Sequence, residues 1–141
     1  MVREQTLHER LGGRPVLERV HKIFYDKVYS HPWLGQFFVG VDQKYIERQQ
    51  TDLTSQAMGV AGAFHGTYPI PGHKHMFITK ELFAVRLELK AEALREAGIP
   101  EALAQEWLAI DRSFEKALVK NSPEECEKRH PTDRIVVVPK P

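Results

Sequence analysis

Apolar side chains recur at intervals of three to four positions along most of this chain, and glycine or proline stands at most of the joints between these segments. This is the pattern of amphipathic helices separated by short connections. The first two predicted helices are a short one that ends at Gly12-Gly13 and one of about four turns that ends at His31-Pro32. Residues 32–38 are expected to form a short helical turn that carries three aromatic side chains into the core.

A third helix is predicted over residues 43–58, with the Asp42 side chain as its N-cap. Its apolar stripe is interrupted by Gln50, which stands where the helical period calls for an apolar residue, so one amide is expected to face the interior. The other members of the stripe are Ile46, Leu53 and Ala57. The next segment, residues 59–72, contains four glycines and two prolines and is predicted to be a loop.

Two further helices are predicted in the C-terminal half. Thr79 is placed to cap the N-terminus of the first, which runs to Ala97 and is followed by Gly98. Pro100 opens the second, and a near-heptad spacing of apolar residues carries it to Asn121. The pattern as a whole predicts an all-α protein.

The segment from Ser122 onward differs in character from these helices. It is charged, contains four prolines and carries a run with β propensity at residues 135–138. We predict an appended segment that is either poorly ordered or packed at an edge of the fold. The chain is therefore divided into a helical domain over residues 1–121 and an extension over residues 122–141.

Length, charge and cysteine content exclude several classes of protein. With 141 residues, the chain is long enough for one domain with a hydrophobic core, and it needs no disulfide or metal to fold. It has a single cysteine and no stretch that resembles a signal peptide, so a cytoplasmic location is the default expectation. A net charge of +1 lacks the basic excess of a nucleic-acid binder, and no apolar run approaches the roughly 20 residues that span a bilayer. Neither nucleic acid nor a membrane is expected as a partner.

Three polar side chains lie where a helical core favours apolar ones, namely Tyr25, Gln50 and His73. Together they suggest a lined cavity. Each also has an ordinary alternative: a tyrosine with its hydroxyl in water, a glutamine paired with a backbone carbonyl, and a histidine in a solvated loop. His65 and His75 could join His73 in a zinc site, although zinc calls for a third ligand at closer and more regular spacing.

A series of short motifs extends over residues 7–118 without an insertion. In chain order they are Leu7–Gly13, Phe24–Val28, Pro32, Phe37-Phe38, Gln49-Gln50, Met58-Gly59, Phe64–Gly66, His73 with Ile78-Thr79, Phe83, and Ala93–Pro100. This order resembles that of the truncated haemoglobins, the short two-over-two helical globins, and among them group I. The resemblance implies a two-over-two helical sandwich followed by a short irregular C-terminal tail.

The resemblance also implies roles for the three polar residues. His73 matches the proximal ligand of a haem iron, and Tyr25 and Gln50 match the distal pair that hydrogen-bonds to a gas ligand. Each such hydrogen bond to negatively polarised dioxygen is worth about 1 kcal/mol or more. The chain has no Cys-x-x-Cys-His motif, so the haem is expected to be non-covalent haem b. The residues expected to wall its pocket are Phe38, Ile46, Leu53, Phe64, Phe77, Phe83 and Leu108.

His75 is the rival of His73 as the iron ligand. Residues two positions apart on a helical turn point about 200° away from each other, so only one of the two imidazoles can face the iron. The spacing to Ile78-Thr79 matches the family at His73 and favours it. On the distal side, Ile46 occupies the place where many longer globins carry a histidine, so the sixth iron site is expected to be open or gated by Tyr25.

The implied function is reversible binding of dioxygen and of other diatomic gases, carbon monoxide and nitric oxide, for oxygen transport or storage. Nitric-oxide dioxygenation is a candidate enzyme activity, and it would need a separate reductase because nothing in the chain resembles a flavin or nicotinamide domain. The alternative from another class is a haem-free helical interaction module. Its support comes from departures from the family pattern at Pro69, Pro71 and Arg86.

Arg86 is the departure with the largest physical consequence. It lies one turn after Phe83, on a face that approaches the expected cavity, and a buried guanidinium must be paired. We expect it to reach solvent or to pair with an acidic residue such as Asp111; contact with a haem propionate is the sharper alternative. Val60, which replaces a glycine common in the family, is expected only to reshape its loop.

Overall fold

The computed structural model describes residues 4–66, 68 and 72–141, and these residues are mainly helical. The helices are α1 (Leu7–Leu11), α2 (Arg14–Ser30), α3 (Gln43–Ala57), α4 (Lys80–Glu96), α5 (Glu101–Arg112) and α6 (Glu115–Leu118). Two 3-10 turns lie at Leu34–Phe38 and Pro123–Glu125. Pro69 and Pro71, the two prolines of the predicted loop, lie outside the described residues.

The predicted helix boundaries are confirmed where a capping residue sets them. The side chain of Asp42 accepts a hydrogen bond from the Tyr45 amide at the start of α3, and Thr79 accepts one from the Leu82 amide at the start of α4. Gly12 ends α1 with φ +109°, a conformation that favours glycine. These local interactions explain why these three boundaries follow from the sequence.

The last predicted helix is interrupted. The sequence predicts a continuous helix from Pro100 to Asn121, but α5 ends at Arg112 and only the single turn α6 follows. The Ser113 hydroxyl donates to the Ile110 carbonyl, and a serine that bonds to the preceding turn competes with the helical backbone pattern. The break directs Val119 into an extended conformation, where it pairs with Ile78.

The helices form the predicted all-α two-over-two sandwich. Helix α2 packs against α3 on one side and against α4 on the other, and α4 in turn packs against α5. The short helix α1 contacts both α2 and α5. The helical pairs α2–α3 and α4–α5 therefore stack through the contact between α2 and α4, which places these two helices at the centre of the molecule.

The core lies between α2, α4 and α5. Leu17, Val20 and Phe24 of α2 are buried there with Leu94 and Trp107. The aromatic turn before α3 contributes less than expected, because Trp33 is buried whereas Phe37 and Phe38 are only half-buried. None of the helices within the described ranges is long and apolar enough to cross a membrane.

The C-terminal extension runs beside the segment that precedes α4. The Val136 amide donates to the His75 carbonyl and the Phe77 amide donates to the Val136 carbonyl, both at 2.8 Å. A third hydrogen bond joins the Glu127 amide to the Lys74 carbonyl. Of the two arrangements predicted for the extension, the structure shows the edge-packed one; its division from the helical domain at residue 121 stays a prediction.

Candidate functional site

Helix α3 packs against α2 through a face of small hydroxyl side chains. Thr51, Thr54 and Ser55 are the buried residues of this helix, and the Thr51 hydroxyl lies 2.8 Å from Nδ1 of the buried His21. This hydrogen bond satisfies a polar group on each helix, which lets the two helices approach closely. The buried face of α3 is therefore polar.

The apolar stripe of α3 points in a different direction. Ile46, Gln50 and Leu53 are half-buried and Ala57 is exposed, and at about 100° per residue their face lies roughly 120° around the axis from the hydroxyl face. The sequence predicted this stripe as the interior face, but the rest of the described chain only partly covers it. An apolar stripe left in this way needs an apolar partner to cover it.

Tyr25 lies in the core beside this helix. Its side chain is 3% exposed, and its ring packs edge-on against Phe24 at 4.8 Å and against Phe38 at 5.9 Å between centroids. Ile46 also packs against this apolar cluster, and Leu108 belongs to it. Of the predicted site residues, Tyr25 and Phe38 are therefore in direct contact, while Ile46 and Leu108 belong to the same hydrophobic core.

Arg86 is close enough to Tyr25 to act on the pKa of its hydroxyl. Burial raises the pKa of this phenol well above its ordinary value, and electrostatic attraction and hydrogen bonding to the guanidinium of Arg86 partly oppose the rise. Burial alone would lower the pKa of Arg86, but attraction to the Asp111 carboxylate and to Tyr25 outweighs this effect, and the pKa of Arg86 is raised. Tyr25 is consequently neutral over the physiological pH range and retains its proton.

Arg86 belongs to a cluster of buried charges. Its Nη1 lies 3.0 Å from Oδ2 of Asp111, and the same carboxylate oxygen lies 3.2 Å from Nζ of Lys90, a residue that is 1% exposed. Of the partners considered for Arg86, the structure shows the ion pair with Asp111. Both cations also lie over the ring of Phe24, at 5.2 Å for Arg86 and 4.4 Å for Lys90.

The pKa values in this cluster favour two positive charges and one negative charge. Burial opposes ionisation of Asp111, but Lys90 and Arg86 outweigh it and hold the Asp111 pKa at about 2. Burial lowers the pKa of Lys90 to about 8, against the opposing attraction of Asp111. Lys90 is therefore mostly protonated near neutral pH, and the cluster carries an excess of one positive charge.

Sequence reasoning missed His21 and Lys90. His21 is fully buried, and burial followed by the charge of Lys90 lowers its pKa well below the ordinary value, so its ring is neutral. The helical spacing in the sequence could have indicated that both residues face the core. His21 occupies a position of the apolar stripe of α2, and Lys90 stands four residues after Arg86 on the core face of α4.

The two candidate iron ligands lie in different surroundings. The side chain of His75 is 5% exposed, and the charged residues that act on its pKa, Arg129, Asp133 and Lys120, all come from the C-terminal part of the chain. Burial lowers the pKa of His75, so its ring is neutral beneath the extension. His73 is half-buried. The structure thus places His75 against the extension, whereas the surroundings of His73 are different.

Backbone contacts hold the segment that carries His73. The ammonium group of Lys120 donates to the Met76 carbonyl at 2.8 Å, to the His73 carbonyl at 3.2 Å and to the Leu118 carbonyl at 3.3 Å. The Lys120 amide donates to the Ile78 carbonyl at 2.8 Å. Lys120 therefore ties the turn after His73 to the end of the helical domain.

The remaining residues that were predicted to line a haem pocket differ in how far they are buried. Phe64 and Phe83 are buried, while Leu53 and Phe77 are half-buried. Gln56 of α3 holds the loop beside Phe64, because its side-chain oxygen accepts from the Phe64 amide at 3.1 Å and its nitrogen donates to the Tyr68 hydroxyl at 3.1 Å. These aromatic and aliphatic side chains offer an apolar surface of the kind that suits a flat macrocycle.

The described part of the chain contains no cluster of side chains that could hold zinc. Within residues 4–66, 68 and 72–141, no three side chains of histidine, cysteine, aspartate or glutamate come together as a metal site. His65, His73 and His75 therefore do not form the cluster that a zinc site would need.

Comparison with known proteins places this geometry in a family. The model of the bacterial-like globins matches residues 6–120. The chain belongs to the bacterial-like globin family. Group 1 truncated haemoglobins are among its relatives: it is 29% identical to the one from Tetrahymena pyriformis over 106 residues, which is 75% of this chain and 88% of that protein. It is 28% identical to the group 1 truncated haemoglobin GlbN of Mycolicibacterium paratuberculosis, over 73% of this chain and 76% of that protein.

Solved structures of truncated haemoglobins have the same fold as this globin. The truncated haemoglobin of T. pyriformis in its Fe(III) form superposes with a TM-score of 0.76 at 26% identity, covering 83% of this chain and all of that chain. The group II truncated haemoglobin of Bacillus anthracis superposes with a TM-score of 0.78 at 21% identity, covering 84% and 94%, which shows the shared fold. The resemblance predicted from the sequence is confirmed.

Membership of this family implies haem-based binding of a diatomic gas, and the residues present fit a haem. The stripe of α3 is apolar and incompletely covered, as a helix that contacts a porphyrin requires. The buried hydroxyl of Tyr25 lies on the α2 side of the same apolar cluster.

Pairing between the extension and the His73 segment leads to a stability prediction. Val136→Pro removes the amide that donates to His75 and should lower the free energy of unfolding by about 1–2 kcal/mol, because a hydrogen bond is lost and a carbonyl loses its partner. Val137→Pro is the matched control, since Val137 is exposed and takes no part in these two hydrogen bonds. Urea unfolding of both variants measures the difference. Equal losses would show that the backbone pairing does not hold the extension in place.

Proposed function

We propose that this globin binds haem b non-covalently through His73 and reversibly holds dioxygen, carbon monoxide or nitric oxide between Tyr25 and Gln50. The observation that carries the proposal is the orientation of α3. Its hydroxyl face is buried against α2, while its apolar stripe with Gln50 is only half-covered by the chain. A haem packed on that stripe would complete the apolar surface and meet the Gln50 amide.

His73 holds the proximal side in this proposal. A neutral imidazole supplies one ligand to the iron, and the fixed backbone around it sets the direction of the ring. The contacts of Lys120 with the carbonyls of His73 and Met76 support that backbone. The wall of the pocket would be formed by Phe38, Ile46, Leu53, Phe64, Phe77, Phe83 and Leu108.

Tyr25 and Gln50 act on the distal side. Tyr25 retains its proton because burial raises its pKa, so its hydroxyl can donate a hydrogen bond to a gas ligand at neutral pH. The Gln50 amide supplies a second donor from α3. Ile46 offers no nitrogen to the iron, so the chain itself does not close the distal site from that position.

Nitric-oxide detoxification is the enzyme activity that this pocket would support. A bound haem would supply the redox chemistry by which dioxygen and nitric oxide give nitrate, at the cost of one electron that must be returned. The part played by the chain is to hold dioxygen through Tyr25 and Gln50 and to exclude water with apolar walls. Turnover would need a separate reductase to return the electron.

Oxygen release from the reconstituted protein tests the proposal. Added haemin should give a sharp Soret band, and the reduced protein should bind dioxygen reversibly. Tyr25→Phe should release dioxygen about tenfold faster, because losing one hydrogen bond of about 1.4 kcal/mol changes a rate by that factor. Tyr29→Phe is the matched control, since the Tyr29 hydroxyl donates to the Val41 carbonyl instead. No Soret band in the unaltered protein would reject the proposal and favour the haem-free interaction module.

A further inference from the structure

Residues 136–140 of the C-terminal extension, here called the strap, start beside the segment that carries His73. The Val136 amide donates to the His75 carbonyl and the Val136 carbonyl accepts from the Phe77 amide, both at 2.8 Å, around a parallel bridge. Backbone pairing therefore fixes this end of the strap to the segment of the proposed iron ligand.

The strap continues to the 3-10 turn that carries Phe38. Nε2 of Gln36, in that turn, donates to the Pro139 carbonyl at 2.8 Å. The Phe38 ring packs edge-on against the Tyr25 ring at 5.9 Å between centroids, so this turn contacts the residue proposed for the distal side. The strap therefore connects two parts of the chain that the proposed function assigns to opposite sides of the iron.

Side chains of the strap add further contacts. Val138 packs against the hydrophobic core while Val137 is 52% exposed, the alternation expected of an extended chain on a surface. The ammonium group of Lys140 lies 2.6 Å from a carboxylate oxygen of Glu81 in α4 and 5.6 Å from the centroid of the buried Trp33 ring. Because exposed ion pairs stabilise little, the apolar contact of Val138 is the side-chain contact expected to hold the strap most firmly.

We propose that the strap closes the haem pocket from outside, by joining the His73 segment to the turn that carries Phe38, and that it opens before haem leaves. This inference rests on the proposed function, in which these two parts of the chain contact the haem. The strap is held by a few contacts near a chain end, so it can open while the helices stay folded. The rate of haem loss then follows the fraction of molecules in which the strap is open.

Two neighbouring valines provide the test. In the haem-loaded protein, Val138→Ser should speed haem loss by about fivefold, because the closed strap loses the apolar contact of a half-buried side chain. Val137→Ser is the matched control, since it makes the same chemical change on the exposed side of the strap and should leave the rate unchanged. The measurement is transfer of haem to an excess of haem-free myoglobin, followed by absorbance.

A cut made after folding tests the strap without relying on the fold of a variant. A protease recognition sequence inserted between the exposed residues Pro131 and Thr132 allows the strap to be cleaved off once haem is bound. After the released peptide is removed by gel filtration, haem loss should be faster than in Val138→Ser, because no closed strap remains. The same protein before cleavage is the control.

Amide hydrogen exchange in the haem-free protein gives a readout that does not depend on the cofactor. If the strap connects the two parts of the chain, Val138→Ser should speed exchange at the Phe77 amide and at the Gln36 amide together, while the amides of α5 keep their rates. Faster exchange at only one of these two amides would show that the strap does not couple them.

The outcomes separate this inference from the proposed function. If the unaltered protein binds haemin but loses it at the same rate after the strap is cut, the strap does not close the pocket and the inference is overturned. Equal acceleration by Val138→Ser and Val137→Ser would overturn it as well. Failure of the unaltered protein to bind haemin would instead reject the proposed function itself.

Discussion

Replacing His73 with glycine should abolish tight haemin binding, whereas His75→Gly should leave the Soret band in place. The two imidazoles are separated by a single residue, yet the surroundings of His75 come from the C-terminal part of the chain, including Arg129, Asp133 and Lys120. A ring that is buried beneath the extension cannot also reach a haem packed on α3. The measurement is the absorbance of each variant during titration with haemin.

Imidazole in solution provides the control for folding. If His73→Gly is folded and lacks only the axial ligand, free imidazole should enter the vacated space and restore a Soret band, as a ligand supplied from outside. His75→Gly should show no dependence on added imidazole. The assignment of His73 would be wrong if the two variants exchanged these behaviours.

The parts of the fold that followed from the sequence are those set by local interactions. Asp42 and Thr79 cap their helices through their own side chains, and Gly12 ends α1 because its backbone adopts a positive φ. The three-to-four spacing of apolar residues then indicated that the elements are helices. The break between α5 and α6 was missed, because one serine bonding to the preceding turn has no periodic signature.

The orientation of α3 could not be predicted in the same way. Periodicity identifies an apolar stripe but not its partner, and only the resemblance to the truncated haemoglobins assigned Ile46, Gln50 and Leu53 to a haem pocket. In the structure Thr51 bonds to His21 across the helix contact, which favours burial of the hydroxyl face. The described chain covers the stripe with Gln50 only in part. A helix that binds a cofactor therefore shows the same pattern as one that packs into a core.

The buried charges depend on contacts between residues far apart in the sequence. Asp111 lies 25 positions after Arg86 and 21 after Lys90, and only the packing of α4 against α5 brings them together. The pair of Arg86 and Asp111 was among the alternatives that the sequence allowed. The sequence argument did not include Lys90, because a lysine next to apolar residues usually extends its ammonium group into water.

Asp111→Ala should destabilise the protein by about 3–5 kcal/mol, because it leaves the buried ammonium group of Lys90 and the partly exposed guanidinium of Arg86 without their shared carboxylate. The Lys90 pKa, already lowered by burial to about 8, should fall further when its partner is removed. In the unaltered protein the Asp111 pKa of about 2 lies below the value of about 3.9 usual for an unfolded chain. Its contribution to stability is therefore present above about pH 4 and is lost as the pH falls through 2. Urea unfolding at neutral and acidic pH measures both effects.

Asp26→Ala is the matched control for Asp111→Ala. Like Asp111, Asp26 forms an ion pair with a lysine: the carboxylate lies 2.7 Å from Nζ of Lys22. Both of these side chains are more than half exposed, so loss of the Asp26 carboxylate should cost at most about 1 kcal/mol. Replacing all three members of the cluster, Arg86→Leu, Lys90→Met and Asp111→Leu together, should recover most of the lost stability, since no unpaired charge then remains buried. A loss for Asp111→Ala no larger than that for Asp26→Ala would show that water reaches the two cations.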